Sequence, residues 1–183
     1  MERKYTIDSV MRMYAPRFLF FWGHTEKGGN VSDACLSQWY TCYFFVDGVS
    51  YCCAEQYMMA RKALLFGDRE AYRQILETTD PMKMKKIGRL IQGYDDATWG
   101  RHKFQIVVEG NYAKFSQNPH LSSYLCRTGD KVLVEASPYD TIWGIGMSKD
   151  DKDVCFPRLW EGENLLGFAL MEVRDLLNGE SAG

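Results

Sequence analysis

A glutamate and a lysine lie seven residues apart in the segment AEQYMMARK, at Glu55 and Lys62. An α-helix turns by about 100° per residue, so this spacing places both side chains within roughly 20° of one another on one helix face. Met58, Met59 and Leu65 lie on or beside the same face, so the face that should be buried also presents a carboxylate and an amine. A desolvated lysine is a competent nucleophile, and a carboxylate beside it can take part in proton transfer.

A second interpretation of this helix is open. Glu55 would cap the helix N-terminus, where negative charge is favourable, and Lys62 would reach outward to solvent. Periodicity alone does not choose between a pocket wall and a solvated pair. The neighbouring Cys52 and Cys53 have no second cysteine pair to complete a metal site, and the chain contains no C-x-x-C motif. The sequence therefore predicts two thiols here and no metal.

A second group of candidate residues lies in SPYDTIWGIG (residues 137–146), which directly follows a strand-like segment, KVLVEA (131–136). Asp140 could accept hydrogen bonds from ribose hydroxyls or support a positively charged sugar carbon, and Trp143 could stack on a ring. The alternative is that Asp140 caps its own turn and Trp143 packs in the core. The sequence pattern leaves both interpretations open.

The elements that must position these residues are mostly helical. Hydrophobic residues make up 46% of the 183-residue chain and charged residues 25%, which is typical of a globular domain. The Asp47-Gly48 dipeptide predicts a hairpin between residues 39–46 and 49–52, and Gly67 ends the helix that carries Glu55 and Lys62. Further helices are predicted at residues 8–14, 68–76, 81–91, 103–115, 121–126 and 164–177, a strand at 131–136 and a turn at 93–99. Residues 18–22 fit either a buried strand or the end of a helix.

The formal net charge of −2 argues against a face that binds extended duplex DNA, which must be basic. A short single-stranded nucleic acid or a nucleotide-sized ligand is still compatible with this charge. The first residues lack the apolar stretch of a signal peptide, and no apolar run is long enough to span a bilayer. We therefore expect a cytoplasmic protein with reduced thiols and no membrane partner.

Seven segments follow one another in a characteristic order: AEQYMMARK (54–62), IGR (87–89), Trp99, AKFSQNP (113–119), TGDKVLVEASP (128–138), DTIWGIG (140–146) and WEGENLLGFALMEVR (160–174). The ordered set resembles the NADAR family, also called YbiA-like, from about residue 20 to about residue 177. The resemblance implies a single compact domain that is mainly α with a few short β-strands. It divides the chain into an N-terminal extension (1–17), the NADAR domain (18–178) and a flexible tail (179–183).

The resemblance also implies an N-glycosidase that cleaves the bond between C1′ of a ribose and a nitrogen, without a cofactor. The predicted reaction removes ADP-ribose from guanine bases in nucleic acid, with a guanine-modifying ADP-ribosyltransferase toxin as the functional counterpart in an antitoxin or repair role. One alternative is cleavage of ribosylamine-phosphate pyrimidines, which are riboflavin-biosynthesis intermediates. The other is a non-catalytic module that binds ADP-ribose or NAD.

Taken residue by residue, the resemblance assigns the catalytic roles to Glu55, Lys62 and Asp140. The glutamate would bind the leaving base, the lysine would form an imine with the opened sugar, and the aspartate would hold ribose hydroxyls. The implied substrate-binding residues are Trp99, Trp143, Arg89, Gly144 and Asn164.

Three departures from the family pattern affect these assignments. Leu165 stands where many members have an arginine, so Arg89 or Lys114 would have to supply the cation for a phosphate. Cys52 and Cys53 precede the glutamate helix in place of the usual segment. The charged run KDDKD (149–153) lengthens the loop after Trp143 and could change substrate preference.

Overall fold

The computed structural model describes residues 3–26 and 28–180. Seven α-helices and four short β-strands are present among these residues, which confirms the predicted mainly α fold. The helices are α1 (Ile7–Met11), α2 (Ala54–Leu65), α3 (Arg69–Leu76), α4 (Pro81–Arg89), α5 (Asp96–Ser116), α6 (Pro119–Arg127) and α7 (Leu165–Glu180). The strands are β1 (Phe18–Phe21), β2 (Phe44–Val46), β3 (Val49–Tyr51) and β4 (Val132–Glu135), and short 3-10 helices cover Asp33–Leu36 and Pro157–Leu159.

The chain divides into two units, of which the first comprises the described residues of Met1–Ser37 and Pro119–Gly183. Its centre is a parallel pair of strands, with Phe18 of β1 opposite Val132 of β4 and Phe21 opposite Glu135. Helix α7 packs on β4, and α6 packs on α7. Val132, Leu133 and Val134 of β4 are completely buried, so this short strand forms the apolar centre of the unit.

The second unit is Gln38–Asn118, in which α2 packs against α3, α4 and α5. The small residues Ala60 and Ala63 of α2 are completely buried, which allows neighbouring helices to approach closely. The predicted hairpin is present as antiparallel β2 and β3. Its turn residues Asp47 and Gly48 have φ angles of +52° and +78°, the left-handed pair that a tight two-residue hairpin turn needs.

Several element boundaries differ from the sequence prediction. Helix α1 begins at Ile7, one residue before the predicted start, and Thr6 caps it by exchanging hydrogen bonds with Ser9 in a capping box. Helix α5 begins at Asp96 behind an Asp95 cap, so Trp99 lies in the first turn of a helix and not in the predicted turn at 93–99. Helix α7 continues through residues 179 and 180 of the predicted tail, and residues 181–183 lie outside the described residues.

Candidate active site

Helix α2 buries both residues of the predicted catalytic pair. The Glu55 and Lys62 side chains belong to residues that are only 4% and 9% exposed. Lys62 therefore does not extend into solvent as the alternative interpretation required. Glu55 lies in the first turn of the helix, and its backbone N–H donates to the Gln38 carbonyl at 2.9 Å.

The Lys62 amine is held by one carbonyl and two aromatic rings. Its Nζ donates to the Gly88 carbonyl oxygen at 2.8 Å. The same Nζ lies 4.3 Å from the centroid of the Tyr94 ring and 5.3 Å from that of the Trp99 ring, within the range of a cation–π interaction. Of the residues predicted for the site, the structure therefore brings Trp99 next to Lys62.

Burial changes the chemistry of this amine. It lowers the pKa of Lys62 below the usual value for lysine, because desolvation disfavours the ammonium form. The negative charges of Asp96 and Glu55 act in the opposite direction and offset part of this effect. The desolvated amine carries more of the neutral, nucleophilic form at a given pH than an exposed lysine does.

Gly88 is part of this arrangement because it lets α4 approach α2. A Cβ atom at residue 88 would lie 2.1 Å from Sδ of Met59, far inside van der Waals contact. The absence of a side chain therefore allows the Gly88 carbonyl to reach Lys62. The sequence pattern points to Arg89 in the IGR segment and places Tyr94 in a turn, and it gives no signal for the roles of Gly88 and Tyr94 beside Lys62.

Arg89 and Lys114, the two residues predicted to supply a cation for a phosphate, differ sharply in solvent exposure. Arg89 is exposed at the end of α4, one residue beyond the carbonyl that accepts from Lys62. Lys114 is completely buried, with Nζ 5.5 Å from the Tyr40 ring centroid and 5.0 Å from that of Phe115. Lys114 is thus closed to a phosphate in this structure, and Arg89 is accessible.

Asp140 uses its carboxylate to shape the loop after β4. One oxygen, Oδ1, accepts from the backbone N–H of Ile142 at 3.0 Å and from that of Trp143 at 2.7 Å. The Asp140 and Trp143 side chains are both half-buried. Asp140 therefore caps its own turn, as the alternative interpretation held, and its predicted part in catalysis remains a prediction.

Gly144 and Asn164 hold this loop and α7 against β4. A Cβ atom at Gly144 would lie 2.8 Å from the Glu135 carbonyl oxygen and 2.9 Å from that of Asp140. Asn164 is completely buried, accepts from the Glu135 N–H at 3.0 Å and donates to the Leu133 carbonyl at 2.9 Å. These contacts give both residues positioning roles, while the substrate contacts predicted for them remain predictions.

The cysteines before α2 are two buried thiols. A hydrogen bond from Cys53 lowers the pKa of Cys52 to about 7, and the same interaction together with burial raises the pKa of Cys53. Among the residues that the structure describes, no group of three His, Cys, Asp or Glu side chains could hold a metal ion. Within the same part of the chain, no helix is both long and apolar enough to cross a membrane.

A surface cavity of about 280 Å³ lies beside α1 and the second 3-10 helix. None of the predicted site residues lines it. Its walls are formed by Val10, Met11, Met13, Pro16, Phe156, Pro157 and Arg158.

The family model described as the NADAR domain matches residues 20–178. The chain belongs to the NADAR family. An N-glycosidase of Acanthamoeba polyphaga mimivirus is 42% identical over 168 residues, which cover 89% of this chain and 98% of the viral protein. The riboflavin biosynthesis protein PYRR of Zea mays is 34% identical over 115 residues, 61% of this chain and 17% of the maize protein.

The Escherichia coli N-glycosidase YbiA is similar in both sequence and structure. It is 30% identical over 132 residues, which cover 72% of this chain and 74% of YbiA. The NMR structure of YbiA superposes with a TM-score of 0.74 at 25% identity, covering 93% of this chain and 90% of that one. These similarities confirm the prediction of an N-glycosidase enzyme with the YbiA-like fold. In this NADAR protein, the predicted role of the buried Lys62 amine as an imine-forming nucleophile remains a prediction.

Proposed function

We propose that this N-glycosidase removes ADP-ribose from guanine bases in nucleic acid, with Lys62 as the nucleophile. The observation that carries the proposal is a lysine amine that is 9% exposed, lies against the rings of Tyr94 and Trp99, and has a lowered pKa. An imine-forming lysine must be neutral when it attacks, and desolvation is the usual means of making it so.

The reaction begins when the ribose ring opens: the proton of the guanine amino nitrogen passes to the ring oxygen, and C1′ becomes doubly bonded to that nitrogen. The neutral Lys62 amine adds to C1′, and its two protons pass in turn to the guanine nitrogen. The bond from C1′ to guanine then breaks, and guanine leaves with its amino group while C1′ stays bound to Lys62 as an imine. Water adds to the imine, the lysine leaves as an amine, and the released ADP-ribose closes its ring.

Glu55 is proposed to assist proton transfer from the lysine nitrogen to the guanine nitrogen. The negative charge of Glu55 raises the pKa of Lys62, so the two groups interact electrostatically. Glu55 is 4% exposed, and a buried carboxylate can exchange a proton with a departing nitrogen. Trp99 lies beside the amine and would exclude water from the imine, and the exposed Arg89 is the proposed contact for phosphate. For Asp140 and Trp143, binding of ribose hydroxyls and ring stacking remain the predicted roles.

Borohydride trapping tests the covalent step. The wild-type protein is incubated with an oligonucleotide that carries ADP-ribosyl guanine, reduced, and measured as intact protein by mass spectrometry. We expect an adduct of the reduced sugar on the wild type and none on Lys62→Ala. Lys86→Ala, which removes an exposed lysine from α4, is the matched control and should be trapped normally. No adduct on the wild type, together with full turnover by Lys62→Ala, excludes the imine.

A second candidate substrate is a ribosylamine-phosphate pyrimidine of riboflavin biosynthesis. The 34% identity to the maize riboflavin biosynthesis protein favours it. The two substrates are compared in one assay that measures release of sugar phosphate or ADP-ribose. Turnover of the pyrimidine alone would replace the guanine proposal with this one.

The proposed reaction also defines an antitoxin role, in which the functional counterpart is an ADP-ribosyltransferase that modifies guanine. Bacteria expressing such a transferase should survive when the wild-type protein is co-expressed and should die with Lys62→Ala. Equal survival with both proteins would show that the protection does not come from this enzyme activity.

A further inference from the structure

Two aromatic side chains, Trp22 and Tyr139, form an exposed pair in the first unit. Trp22 is 57% exposed and Tyr139 is 86% exposed. Their ring centroids are 6.1 Å apart, and the ring planes are tilted by 52°. Exposed aromatic residues are common singly, but two in contact create a contiguous patch of ring surface.

The strand register brings these residues together across the sequence. Trp22 directly follows β1, whose last residue, Phe21, pairs with Glu135 at the end of β4. The Phe21 carbonyl also accepts from the Ala136 N–H at 3.0 Å. Both rings therefore lie at the carboxyl end of the parallel strand pair, the edge where α/β proteins commonly bind ligands.

The backbone that carries Tyr139 is held in place by local hydrogen bonds. Its own N–H donates to Oγ of Ser137 at 3.3 Å, and the Asp140 carboxylate caps the next turn of the loop. The exposed ring is therefore presented by an ordered loop, and ordering before binding lowers the entropic cost of binding.

The segment that carries Tyr139 contains no basic residue. Residues 132–148 contain two carboxylates, Glu135 and Asp140, and no lysine or arginine. A phosphate group needs cations or a cluster of N–H donors. The uncharged face of a planar ring needs only aromatic surface, which this edge provides.

We propose that Trp22 and Tyr139 form a stacking platform for a nucleobase. The two rings are too close for a base to enter between them, because a stacked ring needs about 3.5–4.0 Å on each side. The base would instead lie on the open face of one ring and touch the edge of the other. This inference rests on the proposed function, whose substrate offers the adenine of ADP-ribose and the bases that flank the modified guanine.

Binding measured without catalysis tests the platform independently of the proposed function. The indole N–H signals of the protein are recorded by NMR, and Trp22→Phe identifies the signal of Trp22. The probes are AMP, ribose 5-phosphate, a single-stranded oligonucleotide and an abasic oligonucleotide of equal length. A shift of the Trp22 signal with AMP but not with ribose 5-phosphate supports adenine as the bound base. A shift with the oligonucleotide alone, and not with its abasic form, supports a flanking base. No shift with any probe overturns the proposal.

Kinetics with the guanine substrates then test whether the platform contributes to substrate binding. Trp22→Ala and Tyr139→Ala should raise KM at least about fivefold, since loss of one stacking partner weakens nucleobase binding by about that much or more. Trp22→Phe and Tyr139→Phe should stay near the wild-type KM. Tyr14→Ala removes a ring that is 101% exposed and is the control. An unchanged KM in both alanine variants of an active enzyme overturns the platform, whereas an inactive wild type overturns only the proposed reaction.

Discussion

The Nζ atom of Lys62 lies 4.3 Å from the centroid of the Tyr94 ring. Tyr94 in turn packs edge-on against Phe66, with centroids 5.3 Å apart, and its hydroxyl donates to Asp96 at 2.6 Å. The ring that covers the amine is therefore fixed on two sides. This contact links the burial of the lysine to the loop between α4 and α5, so the reactivity of Lys62 depends on a residue outside its own helix.

The stability of the protein should depend on pH through Lys62. Because the folded state lowers the pKa of Lys62 below the ordinary 10.5, the penalty for burying the ammonium is fully present below the folded-state pKa. It is relieved as pH rises towards 10.5, because the folded state loses its proton before the unfolded state does. The unfolding free energies of the wild type and of Lys62→Met are measured by chemical unfolding at several pH values. As pH rises towards 10.5, the wild type should gain stability relative to Lys62→Met. A difference that is constant with pH would mean that the amine is not desolvated.

Opening the aromatic cover should slow the enzyme at neutral pH. Tyr94→Ala admits water to Lys62, so the pKa of the amine rises and the neutral fraction falls. We expect kcat at neutral pH to drop roughly 3- to 10-fold, with the pH–rate profile displaced to higher pH. Tyr94→Phe keeps the ring and should retain the wild-type profile. Equal loss in both variants would instead assign the chemistry to the tyrosine hydroxyl.

Gly88→Ala should damage both stability and activity. The new Cβ meets Sδ of the buried Met59 side chain, so either this side chain must repack or α4 must move and carry the carbonyl of residue 88 from Lys62. Overpacking of this kind typically costs about 1–3 kcal/mol. Adding Met59→Ala removes the clash and should recover part of both losses. Gly100→Ala is the control, since nothing lies within 4 Å of its Cβ position in α5 and alanine favours a helix. Unchanged folding in Gly88→Ala would show that the helices are not closely fitted here.

The sequence predicted the relation between Glu55 and Lys62 because that relation is local. Seven residues make nearly two helical turns, so any helix through this segment places both side chains on one face. The cover over Lys62 is not local. Tyr94 reaches the amine only because α4 and α5 pack on α2, and no periodicity in residues 93–99 indicates that contact.

The pairing of the parallel strands is also a non-local contact that the sequence pattern does not predict. The sequence predicts a strand at β4 and leaves β1 open between a strand and a helix end. Their pairing joins Phe18 to Val132, and nothing in either segment specifies a partner so far along the chain. The exposed pair of Trp22 and Tyr139 follows from that pairing and was likewise beyond prediction. Asp140 was ambiguous for another reason, since an aspartate in a turn bonds its own backbone whether or not it also binds a substrate.

Asn164 should prove to be a positioning residue. Asn164→Ala leaves the Glu135 N–H and the Leu133 carbonyl without their side-chain partner, and it keeps a φ of +54° that alanine tolerates poorly. We expect a loss of roughly 2–4 kcal/mol in unfolding free energy, with KM of the remaining folded enzyme unchanged. Asn164→Gly removes only the side-chain bonds and relieves the backbone, so it should lose less stability. A raised KM at wild-type stability would restore the predicted substrate contact.

Asp140 offers the sharpest separation between shaping the loop and taking part in the reaction. Asp140→Asn keeps an oxygen that can accept from the N–H groups of Ile142 and Trp143, but it removes the negative charge. If the carboxylate stabilises positive charge at C1′, the asparagine variant should keep its thermal midpoint and lose kcat by about 100-fold, a loss typical of removing one electrostatic group. Asp140→Ala removes both functions and should lower the midpoint as well. Wild-type turnover in Asp140→Asn, measured on whichever substrate the enzyme cleaves, would limit Asp140 to capping its turn.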